Sequence, residues 1–75
     1  MALSERSVMN IARQFRADLP SDWRGARLTY QGSNRPLDAQ MVRIDGPSVD
    51  TIYVRASGRA WLSSAPEWSG DYARS

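Results

Sequence analysis

The hydrophobic pattern changes its period once along the chain, and this change limits the fold more than any other feature. From Val8 to Leu19, apolar residues recur three or four positions apart, which is the spacing of one face of an α-helix. From Ala26 onward, apolar and polar residues alternate, as they do in strands that are buried on one face only. The pattern therefore predicts one N-terminal helix followed by strands.

The predicted helix covers residues 5–17. Ser4 is a favourable N-cap, and Glu5 follows it in the first turn, where a carboxylate interacts well with the positive end of the helix dipole. Pro20 disfavours the helical conformation at Leu19, so the helix should end before that residue.

Four strands are predicted after the helix, separated by polar or glycine-containing connections. Short connections between consecutive strands favour antiparallel pairing. We expect one α+β domain, with the N-terminal helix packed on a three- to four-stranded antiparallel β-meander. The chain would end in a polar tail with one helical turn starting at Pro66. The predicted domain, strands and tail are residues 1–75, 26–31, 39–45, 51–56, 59–63 and 64–75.

The turn at residues 57–58 leaves the register of the last predicted hairpin open. A two-residue turn would pair Val54 with Trp61, whereas a three-residue turn would pair Val54 with Leu62. The choice matters because a shift of one residue exchanges the two faces of a strand. We favour the three-residue turn, which places Trp61 beside Tyr53 on the outer face.

The composition excludes the common catalytic sites. The 75 residues include neither His nor Cys, so the chain lacks an imidazole base, a thiolate nucleophile and the usual zinc ligands. Two carboxylate pairs, Asp18 with Asp22 and Asp45 with Asp50, lie close in sequence, but so short a chain hardly encloses the cleft that carboxylate catalysis needs. We expect a non-enzymatic protein without cofactor or metal.

The same composition bears on location and stability. No apolar run is long enough for a signal-peptide core or a membrane span, and there is no cysteine, which favours a cytoplasmic protein without membrane contact. A domain this small, with no disulfide or metal, depends on its core, on self-association or on a partner for stability.

The basic residues form the first candidate surface. All ten are arginine, a residue suited to bidentate contacts with phosphate and carboxylate. Residues 1–37 contain six arginines against three acidic residues, whereas residues 38–75 contain four against five. The alternatives are an ordinary solvated face and a codon bias that favours arginine. The predicted basic patch consists of Arg6, Arg13, Arg16, Arg24, Arg27 and Arg35.

The aromatic residues form the second candidate surface. Tryptophan, tyrosine and arginine dominate protein-binding hot spots, and aromatic rings also stack on single-stranded bases. The alternative is that the tail folds over the outer face and the aromatic rings form a small second core. The predicted partner-binding residues are Tyr53, Arg55, Arg59, Trp61, Trp68 and Tyr72.

These surfaces favour a module that docks on a larger protein or complex and blocks it. In size and composition the chain resembles small phage-encoded inhibitors of host machinery, including the anti-CRISPR proteins. Members of that group that mimic DNA are acidic, whereas this chain has a net charge of +2. The alternatives are a nucleic-acid-binding protein that uses the basic patch with aromatic stacking, and a self-assembling structural subunit such as a homodimer.

Overall fold

Helix α1 spans Glu5–Asp18 in the computed structural model, which describes residues 2–74. At its start, the Ser7 backbone N–H donates to the Ser4 side chain at 3.1 Å, as expected of an N-cap. At its end, the Leu19 N–H donates to the Arg16 carbonyl at 3.1 Å. Across the described residues, no helix is long and apolar enough to cross a membrane. The buried face of α1 consists of Val8, Ile11, Ala12 and Phe15.

A five-stranded antiparallel meander follows the helix, with the strands arranged in chain order across the sheet. A short 3-10 helix at Ser21–Trp23 makes the connection. The α+β fold with an N-terminal helix on an antiparallel sheet is confirmed, with five strands in place of three to four. The strands are β1 (Arg27–Asn34), β2 (Ala39–Asp45), β3 (Val49–Val54), β4 (Arg59–Leu62) and β5 (Ala65–Asp71).

The fifth strand occupies the segment that the sequence predicted as a tail with a helical turn, so that prediction was wrong. In β5, Ala65 lies opposite Leu62 and Ser69 lies opposite Trp61. Residues 66–68 have no counterpart on β4 and form a bulge between the two pairs. The bulge breaks the alternation of polar and apolar residues, which is why the pattern alone does not indicate a strand here.

The register of the β3–β4 hairpin differs from the predicted register, but each side chain lies on the face of the sheet that was predicted for it. Tyr53 pairs with Trp61, and Val54 pairs with Ala60. The expected pair of Val54 with Leu62 is therefore wrong by two residues. A shift of two residues keeps every side chain on its face, so Trp61 still lies beside Tyr53 on the outer face.

The core lies between α1 and the inner face of the sheet. Trp23 packs against one end of this core, in contact with Gly46. The buried residues that the sheet contributes to the core are Val42, Ile44, Ile52, Val54, Ala60 and Leu62.

Both ends of the described chain are held against the sheet by hydrogen bonds. Gln40, a buried polar residue, accepts from the Tyr30 hydroxyl at 2.5 Å and donates to the Leu3 carbonyl at 2.9 Å. After β5, the Tyr72 backbone N–H donates to the Gly58 carbonyl at 2.9 Å. These bonds satisfy groups that burial would otherwise leave unpaired.

Candidate partner-binding face

The outer face of the sheet, away from α1, carries a row of three large side chains. Ile52 and Leu62 are buried beneath the helix, so the adjacent residues of each strand point to the opposite face. The register aligns Met41, Tyr53 and Trp61 across three neighbouring strands. All three are half-buried, and we refer to them as the outer row.

Tyr53 and Trp61 stack on each other within this row. Their ring centroids lie 5.3 Å apart, and the planes meet at 26°. The guanidinium carbon of Arg55 lies over the Trp61 ring, 4.9 Å from its centroid. Such contacts order the side chains before any partner arrives, because each ring limits the rotamers of its neighbour.

Two arginines beside the outer row are held by hydrogen bonds. Arg55 donates from Nε and Nη2 to the Leu37 carbonyl at 3.3 and 3.2 Å. Arg59 donates from Nη2 to the Ser69 hydroxyl at 3.2 Å and from Nη1 to the Asp71 carboxylate at 3.4 Å. Both guanidinium groups remain exposed, so they offer oriented donors to a partner.

A shallow cleft of about 250 Å³ opens beside this end of the outer row. Its lining combines two guanidinium groups with an indole ring, so it suits an acidic side chain whose stem packs on an aromatic surface. The lining residues are Arg55, Arg59, Trp61, Pro66 and Ser69.

Arg43 lies on the same face, at the other side of the outer row, but its charge is already paired. Its Nε donates to both carboxylate oxygens of Asp45 at 3.1 and 3.2 Å, and its Nη2 donates to one of them at 3.0 Å. Arg59 is paired with Asp71 as well, so of Arg43, Arg55 and Arg59 only Arg55 has no carboxylate partner within residues 2–74.

The structure groups four of the six predicted partner-binding residues and separates the other two. Tyr53 and Trp61 stack, with Arg55 and Arg59 beside them. Trp68 lies in the β5 bulge with 43% of its surface exposed. The tail does not fold over the outer face, since it forms the edge strand β5 instead.

Tyr72 lies on the helix side of the molecule, apart from the outer row with which the sequence grouped it as a partner-binding residue. Its ring meets Phe15 edge-on, with centroids 6.0 Å apart. Its hydroxyl donates to the Asp18 carboxylate at 2.6 Å. Burial, reinforced by the hydrogen bond and the negative charge of Asp18, raises the pKa of Tyr72 well above its usual value.

The predicted basic patch divides into one cluster and separate arginines. Arg13, Arg16 and Arg24 line one cleft of about 210 Å³ at the end of α1, which we call the arginine cleft. Arg27 begins β1, and Arg35 follows the opposite end of that strand. Arg6 lies near the start of α1, away from this cleft. The six arginines therefore form no continuous track.

Three of the four carboxylates in the two pairs are engaged in structural contacts. Asp50 accepts from the backbone N–H and the hydroxyl of Ser64, and Asp45 accepts from Arg43. Asp18 accepts from Tyr72. Within residues 2–74, no group of three or more acidic side chains is placed to hold a metal ion.

Sequence reasoning missed three residues of the outer face. Met41 follows Gln40 and precedes Val42, and the adjacent apolar pair hid which of its members faces outward. Pro66 and Ser69 reach the cleft only because β5 pairs with β4. The outward position of Met41 follows from the β2–β3 register, in which Met41 lies opposite Tyr53. No local signal in the sequence indicated Pro66 or Ser69.

Comparisons with protein-family models, with curated proteins and with solved structures find no match for this chain.

Proposed function

We propose that this protein is a non-enzymatic module that docks on a larger protein through the outer row with Arg55 and Arg59, and blocks the surface that it covers. One observation supports this most strongly: the stacked Tyr53–Trp61 pair, with Arg55 over the indole, lies on a sheet face that no helix covers within the described chain. Ordered aromatic and arginine side chains at the centre of a face are typical of binding hot spots.

The ring contacts favour a protein partner over single-stranded nucleic acid. A base that stacks on Trp61 would compete with Tyr53 and Arg55, which already contact its ring. A protein partner can instead pack against the exposed edges of the rings without displacing either side chain. The six arginines of the predicted basic patch also form no continuous track along which a phosphate backbone could bind.

The residue types of the outer face indicate which residue types the partner's surface should carry. A partner that covers the outer row needs an apolar depression on its own surface. Carboxylates of the partner beside that depression would accept hydrogen bonds from Arg55 and Arg59. Arg59 already pairs with Asp71, which does not line the 250 Å³ cleft, and Arg55 has no carboxylate partner among the described residues. The partner surface is therefore an apolar depression bordered by Asp or Glu side chains.

The test is affinity capture from a lysate of the source cells, with the partner then purified and its binding measured by calorimetry. We expect Trp61→Ala and Arg59→Ala each to weaken binding by about 2 kcal/mol or more, as hot-spot residues do. Arg6→Ala and Arg13→Ala are the matched controls, because each removes an exposed basic side chain from α1, on the opposite side of the sheet from the outer row.

The outcomes separate this proposal from its alternatives. Loss of binding in the two outer-face variants but not in the two controls would support docking through this face. Equal binding by all four variants would reject it. Captured nucleic acid that disappears at higher salt would favour the nucleic-acid alternative, and a concentration-dependent dimer disrupted by Trp61→Ala would favour self-assembly.

A further inference from the structure

We infer that the arginine cleft binds a phosphomonoester group, at a site separate from the outer face. Arg13, Arg16, Arg24 and Ser21 line the same cleft. Guanidinium groups are planar, permanently charged donors that match phosphate oxygens in bidentate geometry. Three guanidinium groups beside Ser21 form a small site with several hydrogen-bond donors, and such a site prefers a dianion.

The three guanidinium groups retain donors for a ligand. Arg16 is half-buried and fixed by a 2.7 Å bond from Nη1 to the Ala26 carbonyl, and Arg13 donates from Nη1 to the Asn10 side chain at 3.0 Å. Each of these bonds orients a guanidinium and uses only one of its nitrogens. Arg24 is exposed; its backbone N–H donates to the Ser21 carbonyl at 3.1 Å, whereas its guanidinium makes no hydrogen bond or ion pair with the described residues.

No described carboxylate forms an ion pair with these three guanidinium groups. Neither Asp18 nor Asp22 lines the cleft, and Asp18 accepts the Tyr72 hydroxyl. A cation in the last turn of a helix also stabilises the helix dipole, which gives Arg16 a structural reason for its place. Arg24 follows the 3-10 helix, so the dipole of α1 does not account for its position. Binding of a ligand would account for it.

A compact cluster suits one terminal phosphate better than a nucleic-acid backbone. A backbone carries singly charged phosphates in a line and needs contacts spread along it. A phosphomonoester concentrates nearly two negative charges and three acceptor oxygens on one group. The arginine cleft matches the second arrangement because its three cations face one small volume.

The experiment is an NMR titration of the ¹⁵N-labelled full chain with O-phosphoserine at constant ionic strength, with L-serine as the unphosphorylated control. We expect saturable shifts of the amides around residues 13–25 with O-phosphoserine and none with L-serine. Arg24→Gln should weaken binding about tenfold, the effect of losing a charged hydrogen bond. Arg6→Gln, which removes the same charge from outside the cleft, should leave it unchanged.

The pH dependence of O-phosphoserine binding adds a second measurement, because the charge of the phosphate group changes with pH. Lowering the pH from about 7 to about 5 removes most of the second phosphate charge, so binding should weaken. The protein contains no histidine whose titration would confuse this result. Arg13→Gln provides a second cleft variant if Arg24→Gln is poorly folded.

Two results would overturn the inference. One is the absence of saturable shifts at the arginine cleft, and the other is equal weakening in Arg24→Gln and Arg6→Gln, which would mean attraction by overall charge. Tighter binding of a single-stranded oligonucleotide, lost equally in both variants, would point to the nucleic-acid alternative instead. None of these results depends on whether the outer face binds a protein.

Discussion

At the scale of single residues, Gly46 shows how a turn position is constrained by a distant side chain. A Cβ added at Gly46 would lie 2.6 Å from Cε3 of Trp23 and 3.2 Å from the Cβ of Ala26. The indole packs against the core, so it cannot move away without opening that end of the molecule. Glycine is needed here for space rather than for an unusual backbone angle.

We expect Gly46→Ala to lower the free energy of unfolding by about 1–3 kcal/mol, the usual range for overpacking a well-filled site. Urea denaturation monitored by circular dichroism measures the change. Trp23→Leu shortens the conflicting side chain, so the same glycine substitution should cost clearly less in that background. An equal cost in both backgrounds would mean that the indole is not the cause.

At the scale of elements, β5 turns an open strand edge into part of the sheet. It pairs along β4, and Arg59 lies opposite Asp71 at the far end of that pairing. Without β5, the backbone groups on one side of β4 would lose their partners, and the core under Ala60 and Leu62 would be open at that edge. The segment is therefore part of the folding unit.

A chain ending at Ser64 should fail to form a stable fold, whereas a chain ending at Asp71 should fold with a free energy of unfolding reduced by about 1–3 kcal/mol. The second chain keeps β5 but loses the half-buried Tyr72, with its contact to Phe15 and its hydroxyl bond. Thermal denaturation followed by circular dichroism distinguishes the two. Cooperative unfolding of the shorter chain near the full-length midpoint would contradict this role of β5.

At the scale of the whole molecule, residues 72–74 connect the last strand to the first helix and to a hairpin. The Tyr72 hydroxyl reaches Asp18, and Gln14 donates to the Ala73 carbonyl at 3.1 Å. Arg74 donates to the Ala56 carbonyl at 3.3 Å. The two ends of the fold are thereby joined across the core, and the stability of the whole depends on the protonated phenol.

This dependence predicts a loss of stability in alkaline solution. Because the pKa of Tyr72 is raised in the folded state, folding holds the phenol proton more tightly than the unfolded chain does. The stabilisation is complete below the ordinary tyrosine pKa of about 10 and is lost as the pH rises from there through the raised value. Urea denaturation at a series of pH values should show this decline.

The matched variants are Tyr72→Phe and Tyr53→Phe. Tyr72→Phe should be less stable than the wild type near neutral pH by about 1 kcal/mol and should decline less steeply above about pH 10. Tyr53→Phe, on the outer face, should keep the steep decline. If Tyr72→Phe declines as steeply as the wild type, the alkaline sensitivity comes from another group.

Much of the fold was predictable because its signals are local. The Ser4 cap and the three-to-four-residue spacing from Val8 to Leu19 predicted α1, and alternation predicted which face of β3 is buried. The outer position of Trp61 was also predictable, since a two-residue register error does not exchange faces. Placing Arg55 and Arg59 beside it followed from the same alternation.

The remaining features depend on contacts between residues far apart in sequence. The bulge at residues 66–68 hides the period of β5, so only pairing with β4 defines the strand. Tyr72 reaches Asp18 across 54 positions, and the arginine cleft forms only when the 3-10 helix folds back on α1. The helix and the two faces of the sheet follow from the periodicity of neighbouring side chains, so the amino-acid sequence was enough to predict them. The fifth strand and the side on which Tyr72 lies could be seen only in the folded molecule, because each depends on packing between distant segments that no local pattern encodes.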